Sequence, residues 1–144
     1  MTAEELWKRS GLTGLYESWA FSDAPDTLAV LVKNGKKTAT CSSYDVYQAN
    51  KLSLPKPGDY SVILDSNGEA VCIVKTTKVY VIEFHQVSKL HAYKEGEGDR
   101  SLEYWRKVHI DFLTRELARI NKTFTENTLV VCEEFELVYS KFPV

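Results

Sequence analysis

The sequence lacks several features that mark whole classes of protein. None of its apolar runs approaches the roughly 20 consecutive residues that a helix needs to cross a bilayer, and the first residues, MTAEELWKRSG, contain no apolar signal core. Only three cysteines are present, widely spaced and without a CxxC pair, which excludes a disulfide framework and a zinc-ribbon motif. We therefore expect a cytoplasmic protein with reduced thiols and no membrane partner.

Net charge is also nearly absent. The 144 residues include 18 basic and 20 acidic side chains, so the formal net charge at pH 7 is -2, which excludes binding of nucleic acid by bulk charge. Disorder is excluded because 44% of the residues are hydrophobic and 12% are aromatic, enough to form a buried core. A chain of this length predicts one domain that covers residues 1–144.

Common cofactor and metal motifs are missing as well. The sequence contains neither the GxxxxGK[ST] loop nor the GxGxxG turn that bind phosphates at the start of a helix. His91 and His109 have no second histidine at ligand spacing, so no metal site is predicted. The sequence therefore assigns no cofactor.

Turn signals and β-branched runs indicate four strands. They are predicted at residues 37–42, 60–64, 70–84 and 128–139. The 70–84 run is too long for one straight strand, so we expect residues 75–78 to bend or bulge it into two. The last strand is expected to close a sheet that curls on itself.

Helices are predicted around this sheet. They cover residues 2–10, 26–34 and 85–94, and a long helix begins near Ser101 with Asp99 as its expected cap. Apolar residues of the long helix recur mostly every three or four positions, which places one stripe of the helix, including Trp105, against the sheet. The predicted fold class is α+β, a small, mostly antiparallel β-barrel flanked by helices.

Charges are distributed unevenly along the chain. Residues 33–56 contain five lysines and one acid, Asp45, whereas residues 95–103 contain four acids and one base, Arg100. Either both segments are solvated surface, or they form opposite sides of a polarised cleft for a small ligand or a few nucleotides.

Several blocks of the sequence resemble one known family. Residues 31–40, LVKNGKKTAT, are similar to the GxKxxTxR-type signature of the ASCH domain family, in the PUA-like superfamily of small β-barrels associated with RNA. Residues 54–62, 91–109 and 131–135 resemble further blocks of the longer bacterial ASCH subfamily, in the same order. The resemblance covers nearly the whole chain and implies a PUA-like barrel. The closing arginine of the signature is replaced by Ser42.

The resemblance also implies a catalytic set. Some family members hydrolyse N4-acylated cytidine with a lysine, a threonine and a glutamate, and the matching positions here are Lys37, Thr40 and Glu95. In that chemistry the Thr40 hydroxyl attacks the acyl carbonyl, while Lys37 takes its proton or stabilises the oxyanion and Glu95 orients the pair. Longer relatives have been linked to RNA binding and RNA hydrolysis instead.

Five further residues are candidates for substrate binding. Lys36 lies beside the catalytic lysine, and Arg100 or Arg106 is a candidate to replace the missing signature arginine. Tyr44 and Tyr47 follow the signature, where they either stack a base, worth roughly 1 to 3 kcal/mol, or pack over the mouth of the barrel.

Three functions fit these residues. The first is a hydrolase that acts on single-stranded RNA or on an N4-acylated cytidine in a cleft between the GKKTAT segment and the EGEGDR turn. The second is a non-catalytic RNA-binding module, and the third is a sensor of a small metabolite or coenzyme. All three predict RNA, a nucleoside or another small ligand as partner, and the oligomeric state stays open.

Overall fold

The computed structural model describes residues 1–140, which combine a single sheet with surrounding helices. The strands are β1 (Glu17–Trp19), β2 (Ala39–Ser43), β3 (Tyr60–Leu64), β4 (Ala70–Glu83) and β5 (Leu129–Ser140). The helices are α1 (Ala3–Ser10), α2 (Pro25–Lys33), α3 (Tyr44–Ala49), α4 (Lys89–Glu95) and α5 (Leu102–Ala118). The predicted α+β class is confirmed. The predicted domain of residues 1–144 includes residues 141–144, which lie outside the described range.

The sheet is a curled half-barrel with the strand order β1-β3-β4-β5-β2. Strand β1 runs parallel to β3, and the other neighbours are antiparallel. The final strand, which was expected to close the barrel, instead lies between β4 and β2, so β1 and β2 form the edges of the sheet. The cavity described below lies beside the β2 edge.

The long strand β4 bends without breaking. The predicted irregularity at residues 75–78 is present as a register shift between Thr76 and Lys78 against β5, and a second shift lies between Ile73 and Val74. The predicted division into two strands is wrong, because a β-bulge increases the local twist while the hydrogen-bonded ladder continues on both sides of it.

Helices α3, α4 and α5 each begin at a serine cap. The predicted cap of the long helix, Asp99, is wrong: the Ser101 side chain accepts a hydrogen bond from the Tyr104 amide, and Asp99 accepts one from the Ser101 amide instead. The helix predicted over residues 85–94 begins later, at Lys89, because Phe84–Gln86 forms a separate 3-10 turn.

Two elements carry no sequence prediction, β1 and α3. Strand β1 has only three residues, too few for an alternation pattern to be visible. Helix α3 directly follows a β-prone run, and it begins because the Ser43 hydroxyl accepts a hydrogen bond from the Val46 amide.

Gly96 brings α4 against the segment that precedes β2. Its φ of 73° ends α4 in the left-handed region, and a Cβ atom there would lie 2.4 Å from the Lys36 carbonyl oxygen. The Thr38 amide also donates a 2.7 Å hydrogen bond to the Lys94 carbonyl. This close approach of two backbones requires glycine, and it joins the two segments that the sequence placed on opposite sides of a cleft.

Apolar side chains pack on both faces of the sheet. One cluster joins α4 and α5 to the sheet through Trp105, Leu113, Phe84 and Cys132. Two others pack under α2 and α1, around Val32 and Leu6 respectively. The three cysteines, Cys41, Cys72 and Cys132, are free and buried. Among the described residues no helix has the length and apolarity that a bilayer span requires.

Candidate functional site

A cavity of about 630 Å³ lies beside the edge strand β2. All five strands and all of the helices except α1 contribute to its walls, together with the loop before β3 and the turn between α4 and α5. Aromatic rings contribute to the lining: Trp19, Phe21, Tyr47 and Phe112. The titratable lining includes His109, three lysines (Lys37, Lys51 and Lys56) and six carboxylates, which are Glu17, Asp23, Asp59, Glu95, Glu97 and Glu133.

Lys37 is among the largest fully buried side chains, with 1% of its surface exposed. Its Nζ atom lies 2.9 Å from Glu97 Oε2 and 3.4 Å from Glu95 Oε1. It also lies 5.3 Å from the centre of the Phe21 ring. A buried ammonium costs several kcal/mol unless it is paired, and here two carboxylates pair it. The structure therefore brings together two of the three predicted catalytic residues.

The Glu95 carboxylate makes four side-chain polar contacts in the site. Its Oε2 atom accepts hydrogen bonds from Trp105 Nε1 at 2.6 Å and His91 Nε2 at 2.7 Å, and its Oε1 atom lies 3.4 Å from both Lys37 Nζ and His109 Nε2. Burial alone would raise the pKa of Glu95, but the charges of His109 and Lys37 and the hydrogen bonds from the two histidines hold that pKa well below its usual range. Glu95 is therefore ionised at neutral pH.

His91 and His109 pair with the Glu95 carboxylate. Burial alone would lower the pKa of His91, but hydrogen bonds with Cys132 and Glu95 raise it to about 9. The pKa of His109 is likewise raised against the effect of burial, by the charge and the hydrogen bond of Glu95. The His109 Nδ1 atom donates a 2.8 Å hydrogen bond to the Trp105 carbonyl, which orients its Nε2 atom toward Glu95.

Cys41, Glu95 and His109 offer ligand atoms that lie within 4.8 Å of one another. These residues lie on three different elements, so no sequence spacing predicts the cluster. The cluster fits a metal ion poorly, because the Lys37 ammonium lies 3.4 Å from the same Glu95 oxygen that a cation would need. Hydrogen bonding with Cys132 and burial raise the pKa of the Cys41 thiol, whereas a metal requires a thiolate. Lys37 and His109 supply the positive charge instead.

The third predicted catalytic residue, Thr40, lines the cavity from the middle of β2. In the β2–β5 ladder it lies directly opposite Glu133. Glu133 also lines the cavity, with 7% of its surface exposed, and its Oε2 atom accepts a 2.7 Å hydrogen bond from the Thr76 hydroxyl. Burial raises the pKa of Glu133, the Thr76 bond lowers it, and the charges of Asp59 and Glu17 raise it further.

The residues proposed to recognise a base lie in two environments. Tyr47 lines the cavity on α3, and burial and the charge of Glu133 raise its pKa. Ser42, at the position of the signature arginine, lines the cavity as well. Tyr44 is half-buried at the start of α3 and is not among the described residues of the lining.

The basic candidates lie outside the cavity lining. Arg100 stacks over the Tyr93 ring at 3.6 Å, and its Nη2 atom donates to the Lys36 carbonyl. Arg106 donates at 3.5 Å to the His85 carbonyl. The Lys36 side chain is exposed. Within the described residues, none of these three side chains belongs to the cavity lining.

Sequence reasoning missed Glu133 and the role of His109. Glu133 follows a run of apolar residues in β5 and is buried. The available signal was the run VVCEEF, in which alternation requires one of two consecutive acids to face the same side as the apolar residues. His109 was considered only as a metal ligand, and its contact with Glu95 joins two helices that no sequence spacing relates.

Fold and cavity together define the class of the protein: a curled half-barrel flanked by helices is the PUA-like architecture. The model of the ASCH domain family matches residues 17–139, and the chain belongs to that family. The ASCH family is a PUA-like family generally associated with RNA. No curated protein sequence matches the chain.

Solved structures agree with this membership. The crystal structure of an ASCH domain from Lactobacillus crispatus is similar with a TM-score of 0.89 and 28% identity over 94% of this chain and 93% of that one. A protein from Enterococcus faecalis gives a TM-score of 0.85 with 36% identity over 95% of this chain and 85% of that one. An ASCH protein from Zymomonas mobilis, at 9% identity and a TM-score of 0.52 over 85% of this chain and 68% of that one, shares the fold alone.

Proposed function

We propose that this ASCH domain is a hydrolase that cleaves an amide on a small nucleoside, with N4-acylated cytidine as the substrate class. The observation that carries the proposal is the buried Lys37 ammonium, held by Glu95 and Glu97 in the wall of a cavity that Thr40 also lines. A hydroxyl nucleophile and a fixed cation are the two groups that acyl transfer needs most. A cytoplasmic protein that folds as one domain fits such a substrate.

The charge of the cavity favours a small neutral substrate over an RNA strand. Six carboxylates and three lysines line it, and Lys37 is already paired with two of the acids. Binding of RNA by its phosphates needs an excess of basic side chains. A nucleoside has no phosphate, and its base has a π-face for Tyr47 or Trp19 to stack on.

In this mechanism the Thr40 hydroxyl attacks the acyl carbon. The positive charge of Lys37 stabilises the oxyanion that forms on the carbonyl oxygen, and Glu95 fixes the position of Lys37 through the shared ion pair. Electrostatic stabilisation of this kind is strong because the pair is removed from water. Glu95 and Lys37 thus have the orienting and electrostatic roles.

A non-catalytic RNA-binding function is the second candidate. It is favoured by the family and by the stacked Arg100–Tyr93 pair next to the exposed Lys36. Guanidinium and aromatic planes of this kind suit unstacked bases and phosphates of single-stranded RNA. In this function the cavity would hold one splayed base.

Turnover with matched variants tests the proposal. The wild type, Thr40→Val and Thr38→Val are incubated with N4-acetylcytidine, and cytidine and acetate are quantified by chromatography. We expect the wild type and Thr38→Val to release both products, and Thr40→Val to lose about three orders of magnitude or more of kcat. Valine keeps the β-branched shape at both positions, so a loss common to both variants would contradict a specific role of Thr40.

A parallel arm uses a short single-stranded RNA. If N4-acetylcytidine is not turned over but the RNA binds with an affinity that falls steeply with salt, the RNA-binding function replaces the hydrolase. Loss of that binding in Arg100→Ala, with the fold intact by circular dichroism, would place RNA on the outer surface.

A further inference from the structure

We infer that Glu133 is the general base that accepts the proton of Thr40, because the two residues lie directly opposite each other in the β2–β5 ladder and line one cavity. This inference rests on the proposed function. Of the two roles that the sequence left open for Lys37, it keeps the stabilisation of the oxyanion. The proton-accepting role goes to a residue of the last strand that the resemblance does not include in its catalytic set.

The ladder places the two side chains within reach of each other. Thr40 on β2 and Glu133 on β5 are register partners in an antiparallel pair. Side chains at directly opposed positions point to the same face of the sheet, with Cβ atoms about 4.5 to 5.5 Å apart. A glutamate is long enough to bring a carboxylate oxygen to a hydroxyl across that separation, and both residues belong to the cavity wall.

Glu95 and Lys37, the other two candidates to accept the Thr40 proton, are already engaged in hydrogen bonds or ion pairs. Both oxygens of Glu95 are occupied, by Trp105 and His91 on one side and by Lys37 and His109 on the other. The Lys37 Nζ atom is paired with two carboxylates, Glu95 at 3.4 Å and Glu97 at 2.9 Å. An ammonium has no lone pair, and a carboxylate that is stabilised by several positive partners is a weak base.

Glu133 has the opposite surroundings. Within the described residues, Thr76 is its hydrogen-bond partner, through Oε2, so Oε1 is available to accept a proton. The groups that face it from the other elements are Asp59 before β3, Glu17 on β1 and Tyr47 on α3. Burial raises its pKa and the two acids add to that effect. A carboxylate of raised pKa is a stronger base at neutral pH.

Glu133 can accept and return the proton in both halves of the reaction. The Thr40 proton passes to Glu133 Oε1 as the Oγ–C bond forms, and collapse of the oxyanion breaks the C–N bond while that proton moves to the departing amine. Water then gives its proton to Glu133 as its oxygen attacks the acyl-threonine ester. Collapse of this second oxyanion breaks the Oγ–C bond, returns the proton to Thr40 and releases the carboxylic acid.

The first experiment compares Glu133→Gln with Glu134→Gln. Glu134 is the next residue of β5, pairs with Lys94 and does not belong to the described cavity lining, so its variant is a matched control. With N4-acetylcytidine we expect Glu133→Gln to lose about 10² to 10⁴-fold in kcat with little change in KM. The rise of kcat/KM with pH should disappear in Glu133→Gln and persist in Glu134→Gln.

The second experiment does not depend on the substrate. The proteins are treated with phenylmethanesulfonyl fluoride, which modifies an activated hydroxyl, and the labelled residue is located by mass spectrometry with Thr40→Val as the blank. We expect Thr40 to be labelled in the wild type and in Glu134→Gln but at least tenfold more slowly in Glu133→Gln. Equal labelling of the two glutamine variants, or no labelling of the wild type, overturns the inference.

The two proposals fail in different ways. Labelling of Thr40 that depends on Glu133, without release of cytidine, contradicts the proposed substrate and leaves the base assignment in place. Turnover by the wild type that Glu133→Gln retains in full supports the hydrolase and overturns the base assignment. Near-ultraviolet circular dichroism of each variant separates these results from loss of folding.

Discussion

Glu95 and Glu133 border the same cavity from two regions with opposite electrostatics. Around Glu95, the charges of Lys37 and His109 outweigh burial, and the pKa lies well below its usual range. Around Glu133, burial and neighbouring acids outweigh one hydrogen bond, and the pKa is raised. Both carboxylates are more than nine-tenths buried, so the difference shows that counter-charges, rather than depth, decide which buried acid stays ionised.

Replacement of each carboxylate by its amide breaks this comparison most directly. Glu95→Gln removes the anion shared by Lys37, His91 and His109, and we expect the free energy of unfolding at neutral pH to fall by about 3 to 5 kcal/mol. Glu133→Gln alters a single hydrogen bond and should change it by less than about 1 kcal/mol. Urea denaturation measures both variants, and losses of equal size would contradict the contrast.

Glu95 and Glu133 should contribute to the pH dependence of the free energy of unfolding with opposite signs. The folded pKa of Glu95 is depressed, so its contribution to stability is present above the unfolded pKa and is lost as pH falls through the folded pKa. The folded pKa of Glu133 is raised, so its contribution is present below the unfolded pKa and is lost as pH rises through the folded pKa. Relative to Glu133→Gln, the wild type should therefore become less stable as pH rises from acid toward neutral.

Gly96→Ala should perturb the Glu95 region alone. A Cβ atom at this position, with φ of 73°, would lie 2.4 Å from the Lys36 carbonyl oxygen, so the segment that carries Lys37 must move. Gly68 has a similar φ of 77° and no atom within 4 Å of an added Cβ, so Gly68→Ala isolates the backbone strain, about 1 to 2 kcal/mol.

We expect Gly96→Ala to cost about 1 to 3 kcal/mol more than Gly68→Ala, as overpacking does in a core. Thermal unfolding of both variants measures the difference. Equal midpoints would mean that the α4 terminus and the Lys36 backbone do not meet as described.

Thr76→Val tests the surroundings of Glu133 through its pKa, and this is the smallest of the expected effects. The Thr76 hydroxyl stabilises the ionised form of Glu133, so its removal should raise the pKa of Glu133 further. The carboxyl-carbon resonance of Glu133, followed by NMR against pH, measures this. Thr77→Val is the control, because the Thr77 hydroxyl donates to the Glu134 carbonyl, and an equal change there would contradict the assignment.

Much of the fold is encoded in local patterns. The strands around Tyr60 and Cys132 and the helix around Trp105 were predicted because alternation, turn residues and a three-and-four spacing are visible within each segment. The errors fall where two nearby residues compete, as Asp99 and Ser101 do for one cap. Whether β5 closes the sheet or lies inside it depends on long-range pairing, which no local pattern specifies.

The candidate site was predictable only in part, for a related reason. Lys37 and Glu95 followed from the family resemblance, and the structure places them in one ion pair. The surroundings of Glu133 depend on the register of β5 against both β2 and β4, so its burial could not be read from its neighbours in the sequence. The roles of Thr40 and Glu133 stay predictions.

The contact between Lys37 and Glu95 has a consequence for the order in which the chain folds. The two residues are 58 positions apart, and β3 and β4 lie between them in the sequence. The entropy cost of closing so long a loop falls once the intervening strands have paired. The ion pair therefore forms late, after the sheet, and its loss should accelerate unfolding more than it slows folding.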